Sequence, residues 1–127
     1  MNLLVDTHVL LWWLADAPQL PPVARRALAA PEHRCIVSAA TAWEVAIKRA
    51  LGKLDAPDDL RRTLLLCGFD ELPITVDHAS VAGALPRHHD DPFDRMLVAQ
   101  ALVEGLTVLT VDPRFAAYGV DVLSSPS

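Results

Sequence analysis

The sequence predicts a single α/β domain in three layers, with helices on both faces of a mostly parallel central sheet. Three observations carry this. Short apolar, β-rich runs alternate with helical patterns from one end of the chain to the other. Turn and cap residues punctuate the boundaries between them. The length, 127 residues, suits one compact domain with a sizeable core. No internal repeat, low-complexity run or linker divides it, so the domain is taken as residues 1–127.

Asn2–Asp6 reads as a buried strand, and Thr7–Ala15 as a helix with Thr7 near its start. After the loop "DAPQLPP", Pro22 suits the first turn of a second helix reaching about Ala30. "RCIVS" is the second strand. Ser38 can cap a helix running to about Leu51, and Gly52 stops it. "DAPDD" opens a helix that ends near Gly68, and "DELPIT" is a short third strand. Asp77 is expected to cap a helix to about Leu85. The polar loop "RHHDD" leads into the helix "PFDRMLVAQALVEG", with Pro92 early and Gly105 at its end. "TVLTV" is the fourth buried strand, "DPRF" begins a short helical turn, and "VDVL" is a last edge strand.

Composition narrows the function. Hydrophobic residues make up 52%, above the usual range of about 45–50%, which excludes a disordered chain. The net charge is −5, so the protein is no basic glove for phosphates, and a nucleic-acid substrate would need its charge neutralised by something else. Cys35 and Cys67 lack CxxC spacing and read as buried thiols rather than a disulfide or zinc site. The N-terminus has no basic n-region, and Asp6 and His8 interrupt its apolar run, so no signal peptide is expected. No window approaches the roughly 18 uncharged apolar residues of a membrane span. The expected compartment is the cytoplasm.

Four carboxylates occupy equivalent structural places. Asp6 ends strand one and Asp112 ends strand four. Glu44 falls in the first turns of the helix after strand two, and Asp94 in the first turn of the helix opened by "DPF". In a parallel sheet the carboxyl ends of the strands share one edge, where the following helices begin. All four acids should therefore face that edge.

Each has an ordinary reading too. Asp91 and Asp94 have the spacing of an N-cap and an N3 acid, Thr41 and Glu44 match a capping box, and Asp112-Pro113 looks like a cap. Magnitude separates the readings. Two carboxylates about 5 Å apart repel by roughly 3 kcal/mol at an effective dielectric near 20, whereas a cap contributes only about 1 kcal/mol. A converging cluster needs cations, and hard oxygen ligands suit Mg²⁺ or Mn²⁺. Asp6 is the least cap-like of the four: a lone carboxylate at the end of an apolar strand is costly unless it coordinates something.

Competing motifs are missing. There is no GxxxxGK and no GxGxxG. A phosphatase with an aspartyl nucleophile would want a second Asp two places after Asp6, where His8 stands. A phospho-receiver needs a late lysine, and the last one here is Lys53.

The segments "LLVDTHVLLWWL", "SAATAWEVAIKRALGKL", "DDPFDRMLVAQA" and "LTVD", in that order, resemble the PIN-domain ribonucleases of the VapC toxin type. The resemblance spans nearly the whole chain. "DPFDRMLVAQA" and "TAWEVAIK" are specific signals, whereas "LTVD" alone is weak. It implies a PIN-like fold and metal-dependent endoribonucleolytic hydrolysis of RNA phosphodiester bonds, with one or two Mg²⁺ or Mn²⁺ ions. The family's acidic metal positions carry over to Asp6, Glu44, Asp94 and Asp112, with Asp6 and Asp94 the direct ligands. Thr110 falls where similar proteins place a hydroxyl near the site. Two divalent ions would take the net charge from −5 to about −1. Two other readings stay open: a housekeeping RNA or DNA nuclease of the same fold, and a non-catalytic RNA-binding or regulatory module that keeps the acids as caps.

Arg87, Arg95, Lys48, Lys53, Arg61 and Arg62 are candidates for phosphate contacts. Against this, Lys48 lies four residues after Glu44 and can pair with it, and Arg61 and Arg62 suit a solvated helix face. His88 and His89 read as surface residues of a polar loop, and Trp43 as a core residue. From Val9 to Leu14 every residue is apolar, so that helix is buried all round or covered by a partner. The resembled toxins dimerise, and a small antitoxin holds them inactive with a C-terminal segment along this side of the domain. Trp12 and Trp13 are the expected anchors for the antitoxin or the second subunit.

Overall fold

A computed structural model of the protein describes residues 1–123. The last stretch of the expected domain, 124–127, lies outside the described residues. Five strands form one sheet: β1 (Asn2–Val5), β2 (Arg34–Ser38), β3 (Asp70–Leu72), β4 (Thr107–Leu109) and β5 (Val122–Leu123). Their spatial order is β3-β2-β1-β4-β5, and every pairing is parallel. The expected sheet is thus parallel throughout its described strands. Six α-helices accompany it: α1 (Thr7–Leu14), α2 (Pro22–Ala29), α3 (Ala39–Ala50), α4 (Leu60–Leu66), α5 (Val76–Ala84) and α6 (Pro92–Glu104). A 3₁₀ turn, Pro113–Tyr118, links β4 to β5.

The layers follow from the two-residue period of a strand. Leu3 and Val5 of β1 point to one face, where they meet Val9 and Leu10 of α1 and Ala24 and Ala27 of α2. Leu4 points to the other, where it meets Ala40 of α3, Leu97, Val98 and Ala101 of α6, and Phe115 of the 3₁₀ turn. β1 is central because its three last residues are apolar and fully buried, a pattern only a doubly covered strand can use.

Most boundaries follow local chemistry. Ser38 caps α3 by accepting from the Ala40 amide, and Asp91 caps α6 by accepting from those of Phe93 and Asp94. Gly105 ends α6 in the left-handed conformation at φ 67°, which a residue with a Cβ adopts only under strain.

Two expected caps are corrected. α5 begins two residues earlier than an Asp77 cap requires: Thr75 is its cap, in a reciprocal box with His78. "DAPDD" opens α4 as expected, its last acid, Asp59, being the cap. Thr41 and Glu44 form no capping box, because α3 already begins at Ala39. Cys67 is exposed rather than buried, Cys35 is half-buried, and both are free thiols. No helix among the described residues is long and apolar enough to cross a membrane.

Candidate functional site

The strand order reverses direction at β1, which is followed in sequence by β2 on one side and flanked by β4 on the other. At such a switch point the two strands diverge beyond their carboxyl ends and leave a crevice. Asp6 follows β1 directly there, and Thr110 and Asp112 follow β4. α3 and α6 begin at the same edge and bring Glu44 and Asp94.

Asp6 is 3% exposed. Its Oδ2 accepts a hydrogen bond from the Thr110 hydroxyl at 2.7 Å. That hydroxyl oxygen in turn accepts from the Asp112 amide at 3.0 Å. Thr110 therefore ties the end of β1 to the chain leaving β4 and holds Asp6 in one rotamer. Burial raises the Asp6 carboxyl above its ordinary value, against the lowering effects of Thr110 and His8.

Glu44, 2% exposed, has both oxygens occupied. Oε1 accepts from the Thr7 hydroxyl at 2.8 Å and Oε2 from Lys48 at 2.6 Å. Lys48 pairs with it as the four-residue spacing allows. Asp112 caps the 3₁₀ turn by accepting from the Arg114 amide, and the Arg114 guanidinium clamps both its oxygens at 2.6–3.1 Å. Those Arg114 hydrogen bonds hold its carboxyl below the usual range. The capping reading of Asp112 is therefore correct as far as it goes, and it leaves the side chain at the same edge.

Asp94 stands apart in its electrostatics. Its carboxyl is pushed up from 3.8 to about 7, first by burial, then by the charges of Asp6, Asp91, Glu44 and Asp112. Asp94 is thus within electrostatic reach of the other three predicted acids, with Asp91, expected only as a cap, a further contributor. Two of the four carry a cation of the protein's own, Glu44 with Lys48 and Asp112 with Arg114. Asp6 and Asp94 have no Lys or Arg: Asp6 has the Thr110 hydroxyl, with the Thr7 backbone and His8 nearby, and Asp94 has the imidazole of His89. Two buried carboxylates without a counter-charge match the charge of one divalent cation, and the all-oxygen donor set matches a hard one. The residues present fit such an ion. Among the described residues, no group of three or more His, Cys, Asp or Glu side chains stands ready to hold a metal ion. Thr7, Lys48, Thr110, His89 and Arg114 each hydrogen-bond an oxygen of the four acids.

Several expectations about neighbouring residues are corrected. His88 is exposed, but the His89 side chain is only 5% exposed. Its Nδ1 lies 2.7 Å from the Tyr118 hydroxyl and its Nε2 3.3 Å from Asp94 Oδ2. Both rings lie against Tyr118, with centroids 4.7 Å away for His88 and 5.5 Å for His89, and His89 is the one that reaches Asp94. Arg95 does not reach toward phosphate. It donates to the carbonyls of Ala82, Leu85, Pro86 and His89 and to the Tyr118 hydroxyl, fixing the loop between α5 and α6. Trp43 is not core: it is 61% exposed and packs edge-on against Phe93 at 5.4 Å. Arg114, Tyr118 and Thr7 were not among the expected site residues, although Arg114 stands two residues after Asp112 and Thr7 directly follows Asp6.

Residues 3–121 match the PIN domain family. The chain is 30% identical over 126 residues to Ribonuclease VapC22 of Mycobacterium tuberculosis, covering 92% of each. This chain belongs to the VapC-type PIN-domain ribonuclease family. Solved structures share its fold. VapBC2 from Rickettsia felis, bound to a DNA fragment from its promoter, superposes with a TM-score of 0.72 at 12% identity, covering 98% of both chains. A toxin–antitoxin complex from Klebsiella pneumoniae superposes at 0.68 with 22% identity, covering 95% of both.

Proposed function

We propose that this PIN-domain protein is a Mg²⁺- or Mn²⁺-dependent endoribonuclease, the toxin of a toxin–antitoxin pair acting in the cytoplasm. The observation that carries the metal dependence is the pair Asp6 and Asp94, buried, mutually repelling and without a cation of their own. These two are the assigned direct ligands. Glu44 and Asp112, each steadied by a basic side chain, complete the acidic wall, and Thr110 and Lys48 support it. A divalent ion held there supplies the positive charge that offsets the build-up on the attacking and leaving oxygens of the phosphodiester. The protein's own part is orientation: Thr110 fixes Asp6, and Thr7 and Lys48 fix Glu44, before any substrate arrives. Catalysis then needs no histidine base.

The test is a mixed RNA pool incubated with the purified protein in millimolar Mn²⁺ or in EDTA, with Asp6→Asn as the blank. Cleavage by the wild type in Mn²⁺ alone is expected, with a loss of at least about a thousandfold in the variant, comparable to removing a group that acts only in the transition state. Equal cleavage by Asp6→Asn, or cleavage indifferent to EDTA, would sink the assignment.

The Klebsiella pneumoniae protein of the same fold is a toxin–antitoxin complex, and we assign this chain a cognate antitoxin and a homodimeric state. Trp12 and Trp13 are half-buried, packed on the core at α1 with part of each ring open to solvent. Larger apolar exposure lies on α3 and α4: Trp43, Ile47, Leu51, Leu65 and Leu66. A groove of about 470 Å³ runs between those two helices over Val37 and Phe69. Apolar exposure of this extent suits a protein partner. Trp12→Ala and Trp13→Ala are each expected to weaken antitoxin binding or dimerisation by at least about tenfold, the usual effect of losing an aromatic anchor. Unchanged affinity and unchanged sedimentation in both variants would remove α1 from the interface.

A further inference from the structure

The imidazole of His89 is walled by Tyr118 and Phe115, with ring centroids 5.5 and 6.5 Å away. Its side chain is almost wholly buried, so its two nitrogens must find partners inside the protein. Both do: Nδ1 is 2.7 Å from the Tyr118 hydroxyl, and Nε2 is 3.3 Å from Asp94 Oδ2. Which nitrogen carries the proton follows from the donors around Tyr118. The Arg95 guanidinium lies 3.3 Å from the phenolic oxygen, and the His89 backbone N–H also lies 3.3 Å from it. Neither group can accept a hydrogen bond. Together they fill the two lone pairs of the phenol and leave it only its own hydrogen to give. The shortest contact open to that hydrogen is His89 Nδ1, the alternative being the His89 carbonyl at 3.4 Å.

We infer that His89 is a positioning residue for the acidic site: Tyr118 donates to its Nδ1, so the neutral ring carries its proton on Nε2 and donates it to Asp94 Oδ2. A nitrogen bearing a proton cannot ligate, and the bare one faces Tyr118, so His89 holds a carboxylate and is not itself a ligand. Asp94 Oδ1 has no hydrogen-bond partner among the described residues and is the oxygen left for a cation. The chain Arg95, Tyr118, His89, Asp94 thus runs from the α5–α6 loop to the site. Each link has a fixed donor direction, and Arg95 is the anchor through its four carbonyl bonds. This inference rests on the metal-dependent reading above and adds to it which residue sets the Asp94 carboxylate.

The test measures Mn²⁺ affinity by thermal titration of the full chain in wild type, His89→Leu, His89→Gln and Tyr118→Phe, alongside each metal-free melting temperature. Imidazole ¹⁵N spectra of the metal-free wild type accompany it. The spectra are expected to show His89 protonated at Nε2 and bare at Nδ1. Loss of a partner that orients a ligand weakens metal binding by about 10–100-fold, and that is the expected effect of His89→Leu. His89→Gln keeps a donor at the Nε2 position and should recover most of the affinity. Tyr118→Phe should fall between them. A role in packing alone would lower the metal-free melting temperatures and leave the Mn²⁺ affinities equal, which overturns the inference, as does an Nδ1-protonated ring. If His89→Leu does not fold, the Gln and Phe variants decide, because equal affinity in Tyr118→Phe and wild type also overturns it. No Mn²⁺ response in the wild type defeats the metal-dependent reading itself and this inference with it. A wild-type response with unaltered variants defeats this inference alone.

Discussion

Asp94→Asn is expected to be more stable than the wild type in EDTA at pH 8, and less stable than it in millimolar Mn²⁺. The first half follows from the Asp94 carboxyl lying at about 7 rather than 3.8. A carboxyl raised on folding binds its proton more tightly in the folded state than in the unfolded one. Its contribution to stability is therefore complete below about pH 3.8 and is lost as the pH rises through about 7. Asparagine has no proton to lose. The advantage of the variant should open between those two values and level off above them, at on the order of 2–4 kcal/mol. The second half follows from binding to the folded state alone, which stabilises the wild type by about 2.7 kcal/mol at a hundredfold excess over Kd and the variant far less. The measurement is a pair of denaturant titrations at pH 4 and pH 8, each with EDTA and with Mn²⁺. A variant weaker than the wild type at pH 8 in EDTA would mean that the protein uses the Asp94 charge for its own fold.

Phe115→Ala should cost about 3–5 kcal/mol, the range for deleting a fully buried aromatic ring. That is a large part of the 5–15 kcal/mol typical of a domain. The ring is wholly buried in the core on the α3–α6 face of the sheet. It also belongs to the turn whose cap is Asp112 and whose last residue is Tyr118. Loosening it should weaken Mn²⁺ binding beyond what the stability loss explains, because His89 leans on the same ring. A shift of the urea midpoint equivalent to less than about 1 kcal/mol, with the slope unchanged, would show that the turn does not dock on α6 as described.

What the sequence discloses is what local rules decide. Asp6 and Asp112 are legible because a strand end is fixed by where an apolar run stops. Asp94 is legible because Pro92 and the Asp91 cap set the first turn of α6. Trp43 was misplaced for a different reason. The helical period says which residues share a face with it but not which face meets the sheet, and here Ala40 and Val45 take the core side. Arg95 reads from the sequence as a candidate phosphate contact, because no local rule shows that its forked donor meets the carbonyls of the loop before it. His89 depends on Tyr118, 29 positions away, and no spacing rule connects them. Thr41 and Glu44 match a capping box by spacing alone, although the helix that contains them is already capped by Ser38.

The hydrogen bond from Thr110 to Asp6 joins residues 104 positions apart. β1 is made first and lies idle between two vacant flanks until β2, and much later β4, arrive to pair with it. Such long-range closure is slow, since the loop entropy is spent before the contacts return it. During synthesis the acids are consequently dispersed along a chain that has no edge to gather them, and a fragment ending before β4 contains Asp6, Glu44 and Asp94 without the strand that aligns Thr110 with Asp6. The alignment of Asp6 by Thr110 therefore waits on β4, which enters only at Thr107.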